Sequence, residues 1–216
     1  MTIVISLIRS VIFDMDGTLL DSEGLSSVAT DYGFRQVLGR DLTPEENAQL
    51  VGRPVKKVLS QWFPDQGEKI YSTGRKYFES NIESIQPYRG IPDLLARLHG
   101  RYTLAVVTSS HRTDAEKLLG HAGILQYFSF YIGQEDTNYQ KPDPEPVLLA
   151  LKMLGTPPAE SIFVGDQPYD IIAAHEAGMK AIGAVWGTGK ADDLYLYSPD
   201  FIAHNPDDVL RIINSL

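Results

Sequence analysis

From residue 91 onward the chain alternates between helical and strand-like patterns, and this alternation restricts its fold more than any other feature. Residues 91–98 have helical spacing, and residues 102–107 form an apolar, β-rich run. Helical patterns at 114–121, 144–154 and 169–177 then alternate with strand patterns at 128–132, 161–164 and 181–186. Such alternation predicts an α/β fold in which helices cover both faces of a parallel sheet. An earlier apolar run, Val11-Ile12-Phe13, reads as the first buried strand. Ligands of such sheets bind outside the carboxyl ends of the strands. The strand ends are therefore where chemistry is expected.

The first strand delivers Asp14-Met15-Asp16-Gly17-Thr18. In extended chain, residues i and i+2 project to the same side. Asp14 and Asp16 should share one pocket while Met15 turns into the protein. Between this stretch and residue 91 the pattern is wholly helical. Leu25, Val28, Ala29 and Tyr32 mark one face of a first helix. Thr43-Pro44-Glu45-Glu46 combines an N-cap, a first-turn proline and a capping-box glutamate. Gly52 is the expected end of that helix; Val55, Val58, Leu59 and Trp62 line the next, and Ile70, Tyr71, Tyr77 and Phe78 the fourth. The expected organisation is a core of residues 1–16 and 87–216 with a small helical domain, residues 17–86, inserted in it.

Composition narrows the function. With no cysteine, disulfides, thiolate nucleophiles and cysteine-based zinc sites are excluded. The net charge of −9 leaves no basic footprint for nucleic acid. The apolar start, Thr2 to Leu7, lacks a basic flank and a small-residue cleavage site and is too short to span a bilayer. It is read as an extension of the first strand. A cytoplasmic protein without membrane contact, monomeric or a weak homodimer, is the expectation.

The other strand ends carry matching groups. The second ends Val107-Thr108-Ser109-Ser110, where hydroxyls and free N–H groups at a helix start suit a phosphate, though they also suit a plain N-cap. Lys141 sits among Pro142, Pro144 and Pro146 after the third, and a lysine turned inward from such a loop makes Lys141–Pro142 a candidate cis peptide. The fourth ends Gly165-Asp166-Gln167-Pro168-Tyr169-Asp170. Helix-dipole stabilisation accounts for Asp170 well and for Asp166 less well. Each like-charge pair at ~4 Å costs on the order of 4 kcal/mol at an effective dielectric near 20. Four gathered carboxylates therefore call for a divalent cation, and all-oxygen ligands favour Mg²⁺.

Taken in order, D-x-D-G-T, the strand-end Thr108, K-P-D-P and G-D-x-x-x-D resemble the haloacid dehalogenase superfamily. The inserted helices resemble its C1-type cap, in the subgroup of phosphoglycolate phosphatases and β-phosphoglucomutases. The resemblance implies a Rossmann-like core, with Asp14 as nucleophile and Asp16 as general acid/base. It implies Thr108, Ser109 and Lys141 as phosphoryl ligands. Asp14, the Asp16 carbonyl and Asp166 would hold Mg²⁺, supported by Asp170. Arg53, in a turn resembling the family's cap loop, is either a substrate-binding cation or a solvated helix start, and Lys56 and Lys57 read as solvated. Relatives often carry Ser or Thr where this chain has Gln167.

The implied reaction is hydrolysis of a small phosphorylated metabolite, phosphoglycolate-like or a sugar phosphate, through an aspartyl-phosphate. An unperturbed aspartate ionises near pH 3.9, so Asp14 is expected as a ready carboxylate. A sugar phosphomutase is the alternative. Mutases of this cap type carry a histidine twelve residues after the nucleophile, where this chain has Ser26, and no histidine precedes His99. A receiver-type signalling domain would lack the insertion and the G-D-x-x-x-D helix start. A haloacid dehalogenase would not use the second acid of D-x-D.

Overall fold

The computed structural model describes residues 8–51 and 53–216. The expected strand extension at Thr2 to Leu7 and the helix end at Gly52 lie outside them. The chain divides into two compact units, one holding the chain up to Leu20 together with Pro87–Leu216, the other Asp21–Gln86. Residues 17–20 stay with the first unit for a physical reason. Leu19 and Leu20 are fully buried, their amides bond the Met15 carbonyl, and the Tyr88 amide bonds the Leu19 carbonyl. The chain thus closes on itself before the second unit begins.

The first unit starts with β1 (Ser10–Phe13). Val11, Ile12 and Phe13 have no exposed surface, as befits a central parallel strand covered on both faces. Each such side chain contributes about 1.5–3 kcal/mol by leaving water.

The second unit consists of α1 (Glu23–Leu38), α2 (Pro44–Ala48), α3 (Val55–Trp62) and α4 (Gly67–Asn81). The Thr43 cap of α2 is present: Thr43 Oγ1 accepts from the Glu46 amide at 3.2 Å, and Glu46 Oε2 accepts from the Thr43 amide at 3.0 Å. The Arg40 guanidinium holds the Glu46 carboxyl down at about 2. The buried face of α1 is not the one its large apolar residues suggest. Val28 and Tyr32 are exposed, and the helix buries Ala29, Thr30, Gly33 and Phe34 instead. α1 and α4 meet backbone to backbone across Gly33 and Gly74. A β-carbon on Gly33 would collide with the Ile70 carbonyl, and one on Gly74 would lie 2.5 Å from the Ala29 carbonyl oxygen.

The chain re-enters the first unit with α5 (Ile91–Leu98), β2 (Thr103–Val107), α6 (Arg112–His121), β3 (Phe130–Ile132), α7 (Glu145–Leu154), β4 (Ser161–Gly165), α8 (Pro168–Glu176) and β5 (Lys180–Ala184). Two elements beyond the sequence reading's last strand complete the sheet side: β6 (Phe201–Ala203) and α10 (Pro206–Asn214), after the short α9 (Ala191–Tyr195). The sheet is entirely parallel, in the order β3-β2-β1-β4-β5-β6. Ile12 and Phe163 pack with Val147, Leu151, Ile171 and Ala174 of α7 and α8. The order grows outward from β1 in both directions, which opens a crevice at the ends of β1, β2 and β4. Among the described residues no helix is long and apolar enough to cross a membrane.

The glycine seam yields a prediction. Gly33→Ala should destabilise the protein by about 1–3 kcal/mol in urea unfolding, because α1 and α4 must separate to admit a methyl group. Gly24→Ala, on the same helix with open space around its β-carbon, should be neutral or stabilising by up to about 1 kcal/mol. Equal effects at the two positions would remove the seam.

Candidate active site

Parallel register sets the level of the site. Phe13 pairs with Val106 on one side and Val164 on the other. Asp14 follows directly, and its amide still bonds the Val164 carbonyl at 2.9 Å. Thr108 and Asp166 then emerge from the neighbouring strands one step further on. Met15 is fully buried, as alternation requires.

Lys141 binds this rim together. Its side chain is 4 % exposed, and its ammonium donates to Asp14 Oδ1 at 2.7 Å, to Asp170 Oδ1 at 2.6 Å and to the Val107 carbonyl at 3.1 Å. All three of its protons are thus engaged. The Lys141–Pro142 peptide is cis, as the proline-braced loop suggested. Burial alone would pull the lysine pKa down, but Asp14 and Asp170 outweigh it and raise it above the usual lysine value.

Asp14, Asp166 and Asp170 are all buried, and one carboxylate oxygen of each lies within 4.8 Å of the others. Burial lifts the Asp14 pKa well above its ordinary value; Lys141 opposes this, while Asp170, Asp166 and Asp16 reinforce it. Burial thus opposes the ready ionisation expected of a free aspartate, while the Lys141 ammonium favours it. Asp166 is pushed up to about 6, first by burial and then by Asp170, against hydrogen bonds from Thr188, Gln167 and Thr18. Three buried carboxylates against one ammonium leave two negative charges, the complement of a divalent cation. The donor set is hard oxygen throughout, so the residues fit such an ion.

Asp166 is held by groups from three segments. Thr18 Oγ1 donates to its Oδ1 at 2.9 Å, while Thr188 Oγ1 and Gln167 Nε2 donate to Oδ2 at 2.6 and 2.8 Å. Gln167 thus occupies a useful place despite departing from the commoner hydroxyl residue. Gly17 permits the approach, since with φ of 81° a β-carbon there would lie 2.5 Å from Asp166 Oδ2. Asp170 serves two ends, binding Lys141 through Oδ1 and capping α8 by accepting from the Gln167 amide at 3.0 Å through Oδ2.

Asp16 stands apart from the buried trio. Its Oδ2 accepts from Thr108 Oγ1 at 3.1 Å and from Ser110 Oγ at 2.7 Å. Ser110 supplies the second hydroxyl on Asp16. Arg53 belongs to the helical unit, where its Nη1 donates to the Gln49 carbonyl at 3.3 Å. Thr18, Ser110 and Thr188 were not singled out from the sequence; an isolated hydroxyl carries no signal until its distant partner is known.

The comparisons agree with this geometry. The family profile described as haloacid dehalogenase-like hydrolase matches residues 11–184. A Bacillus velezensis protein named pyrophosphatase PpaX is 30% identical over 95% of this chain and 96% of its own. A phosphoglycolate phosphatase of Aquifex aeolicus is 30% identical over 96% of this chain and 97% of its own. A solved haloacid dehalogenase-like hydrolase from Streptococcus pneumoniae superposes with a TM-score of 0.84 at 28% identity, covering 95% of this chain and 98% of that one. The chain belongs to the haloacid dehalogenase-like hydrolase family. It is an enzyme, and the two relatives named above are a pyrophosphatase and a phosphoglycolate phosphatase by name.

The raised Asp166 pKa gives a pH prediction. Between the ordinary 3.8 and about 6 the folded state binds more protons at this group than the unfolded state does. Stability should therefore fall as pH rises across that window. The loss from Asp166 alone should approach about 3 kcal/mol at neutral pH. Urea unfolding in chelator from pH 4 to 7 measures it; stability that rises steadily through the window would contradict the assignment.

Proposed function

We propose that this enzyme is a Mg²⁺-dependent phosphatase that hydrolyses a small phosphorylated metabolite through an aspartyl-phosphate on Asp14. The observation that carries the reading is the buried trio Asp14, Asp166 and Asp170, balanced to within two charges by Lys141. Asp14 and Asp166 would hold the cation with the Asp16 carbonyl. Asp170 would support them from the first turn of α8, where its Oδ1 binds Lys141 and its Oδ2 caps the helix. When bound, the ion supplies positive charge to the phosphoryl oxygens and lowers the pKa of Asp14.

The chain's own residues account for the remaining steps. Asp14 attacks phosphorus and the bond to the leaving oxygen breaks, while Asp16 gives that oxygen a proton. Water then attacks the phosphorus of the aspartyl-phosphate and returns a proton to Asp16, freeing Asp14. Thr108 binds a phosphoryl oxygen, and Ser109 can offer its hydroxyl or amide. Lys141 neutralises charge beside Asp14, and its direct contact with phosphate requires exchange of one of its three partners. The relatives named for pyrophosphate and phosphoglycolate support a compact anionic substrate, with sugar phosphates a further class. The cysteine-free sequence suits a reducing cytoplasm.

Two outcomes test this reading. Asp14→Asn should retain its fold yet release phosphate from any of these substrates at no more than a few per cent of the wild-type rate, and chelation of Mg²⁺ should silence the wild type. Substantial turnover by the pure variant would remove Asp14 from its role, and full activity after exhaustive chelation would remove the metal. The mutase alternative is tested separately. Ser26 lies in α1 and cannot replace an imidazole in proton movement near neutrality. A hexose monophosphate supplied with a sugar bisphosphate primer should give free phosphate without acceleration. Isomer accumulating faster than phosphate would establish the mutase instead.

A further inference from the structure

We propose that Ser110 is a positioning residue for Asp16, fixing which of its two carboxyl oxygens exchanges a proton with the leaving group. The proposal rests on the acid/base part assigned to Asp16 above. Ser110 Oγ donates to Asp16 Oδ2 at 2.7 Å, and Thr108 Oγ1 donates to the same oxygen at 3.1 Å. Two donors occupy the two lone pairs of a carboxyl oxygen. A proton carried by Asp16 therefore resides on Oδ1, and Oδ1 is the atom that meets the leaving oxygen.

Ser110 is itself held in place. Its amide donates to Thr108 Oγ1 at 3.0 Å, and its carbonyl accepts from the Gln134 amide at 2.9 Å. The loop that ends β2 thus fixes Ser110 at both backbone groups and leaves its hydroxyl to orient Asp16. Thr108 is the longer of the two bonds and is also the residue assigned to the phosphoryl group. When Thr108 turns to substrate, the Ser110 bond still marks Oδ2 as the accepting oxygen and favours Oδ1 as the one that carries the proton. In the step it serves, an Asp14 oxygen bonds to phosphorus as the phosphorus–leaving-group bond breaks. The electron pair stays on the leaving oxygen, which takes the proton from Asp16 Oδ1.

A misaligned acid is felt only where the leaving group needs a proton. The test is kcat/KM for a series of phosphate monoesters, from p-nitrophenyl phosphate, whose anion leaves unaided, through phenyl phosphate to alkyl phosphates. Wild type, Ser110→Ala, Ser110→Thr and Asp16→Asn are compared. Ser110→Ala should lose about 10- to 100-fold on alkyl phosphates and no more than about threefold on p-nitrophenyl phosphate, a fraction of the 10²–10⁴ available from proton transfer. Asp16→Asn should show the same trend more steeply, and Ser110→Thr, which keeps the hydroxyl, should restore much of the alkyl phosphate activity. A uniform loss along the series for Ser110→Ala, with a steep trend for Asp16→Asn, overturns the proposal alone. A flat series for Asp16→Asn overturns the acid/base assignment and the proposal with it.

Discussion

The site depends on one buried ammonium. Lys141 joins Asp14 at the end of β1, the last carbonyl of β2 and Asp170 in the first turn of α8. Removing one partner from a buried ion cluster is costly, about 3–5 kcal/mol, because the remaining charge loses its compensation. The same cluster is not self-sufficient. Its acids outnumber its cation, and burial, reinforced by the neighbouring acids, raises the pKa of Asp14 and Asp166. The two negative charges left over are the complement of a divalent cation, so the cluster is arranged for a ligand rather than for its own stability.

The sheet makes this concentration of charge possible. Parallel strands end at one level, so a single register brings Asp14, Thr108 and Asp166 to one rim. The backbone beneath is rigid, because β1 is buried on both faces and hydrogen-bonded on both edges. The polar cover comes from outside the strands. Thr18, Gln167 and Thr188 reach Asp166 from three turns, and the Trp186 indole donates to the Thr18 carbonyl at 2.9 Å, tying two of those turns together.

Much of this was legible in the sequence because the rules involved are local. The strand of residues 11–13, the acids at its end and the Thr43 cap each follow from a few adjacent residues. So does the placement of Lys141 and Asp166 at strand ends, once alternation implies a parallel sheet. What stayed hidden depends on distant partners. Thr18 and Asp166 are 148 residues apart, and Ser110 and Asp16 are 94 apart. A lone hydroxyl in a loop looks the same whether it caps a helix or orients a carboxylate. The buried face of α1 was misread for another reason. Hydrophobic periodicity finds large side chains, whereas α1 packs on α4 through Gly33 and Gly74, residues notable for what they lack. The edge strand β6 is three residues long, too short to show a period of two.

In the proposed mechanism, environment divides labour between the two aspartates of the first motif. They are two residues apart on one turn of chain, yet Asp14 is gripped by an ammonium and shielded from water, while Asp16 is partly exposed and held at Oδ2 by neutral hydroxyls. A nucleophile facing a phosphate dianion needs a neighbouring cation, since its own charge and the substrate's repel. A group that must give and regain a proton needs a setting that leaves both of its charge states accessible. Hydroxyl donors orient such a carboxyl without committing it to one charge. Paired carboxylates whose surroundings differ in this way are the pattern by which acid and nucleophile are told apart, and the proposed roles follow it, with the loop after β2 and the lysine after β3 as the two surroundings.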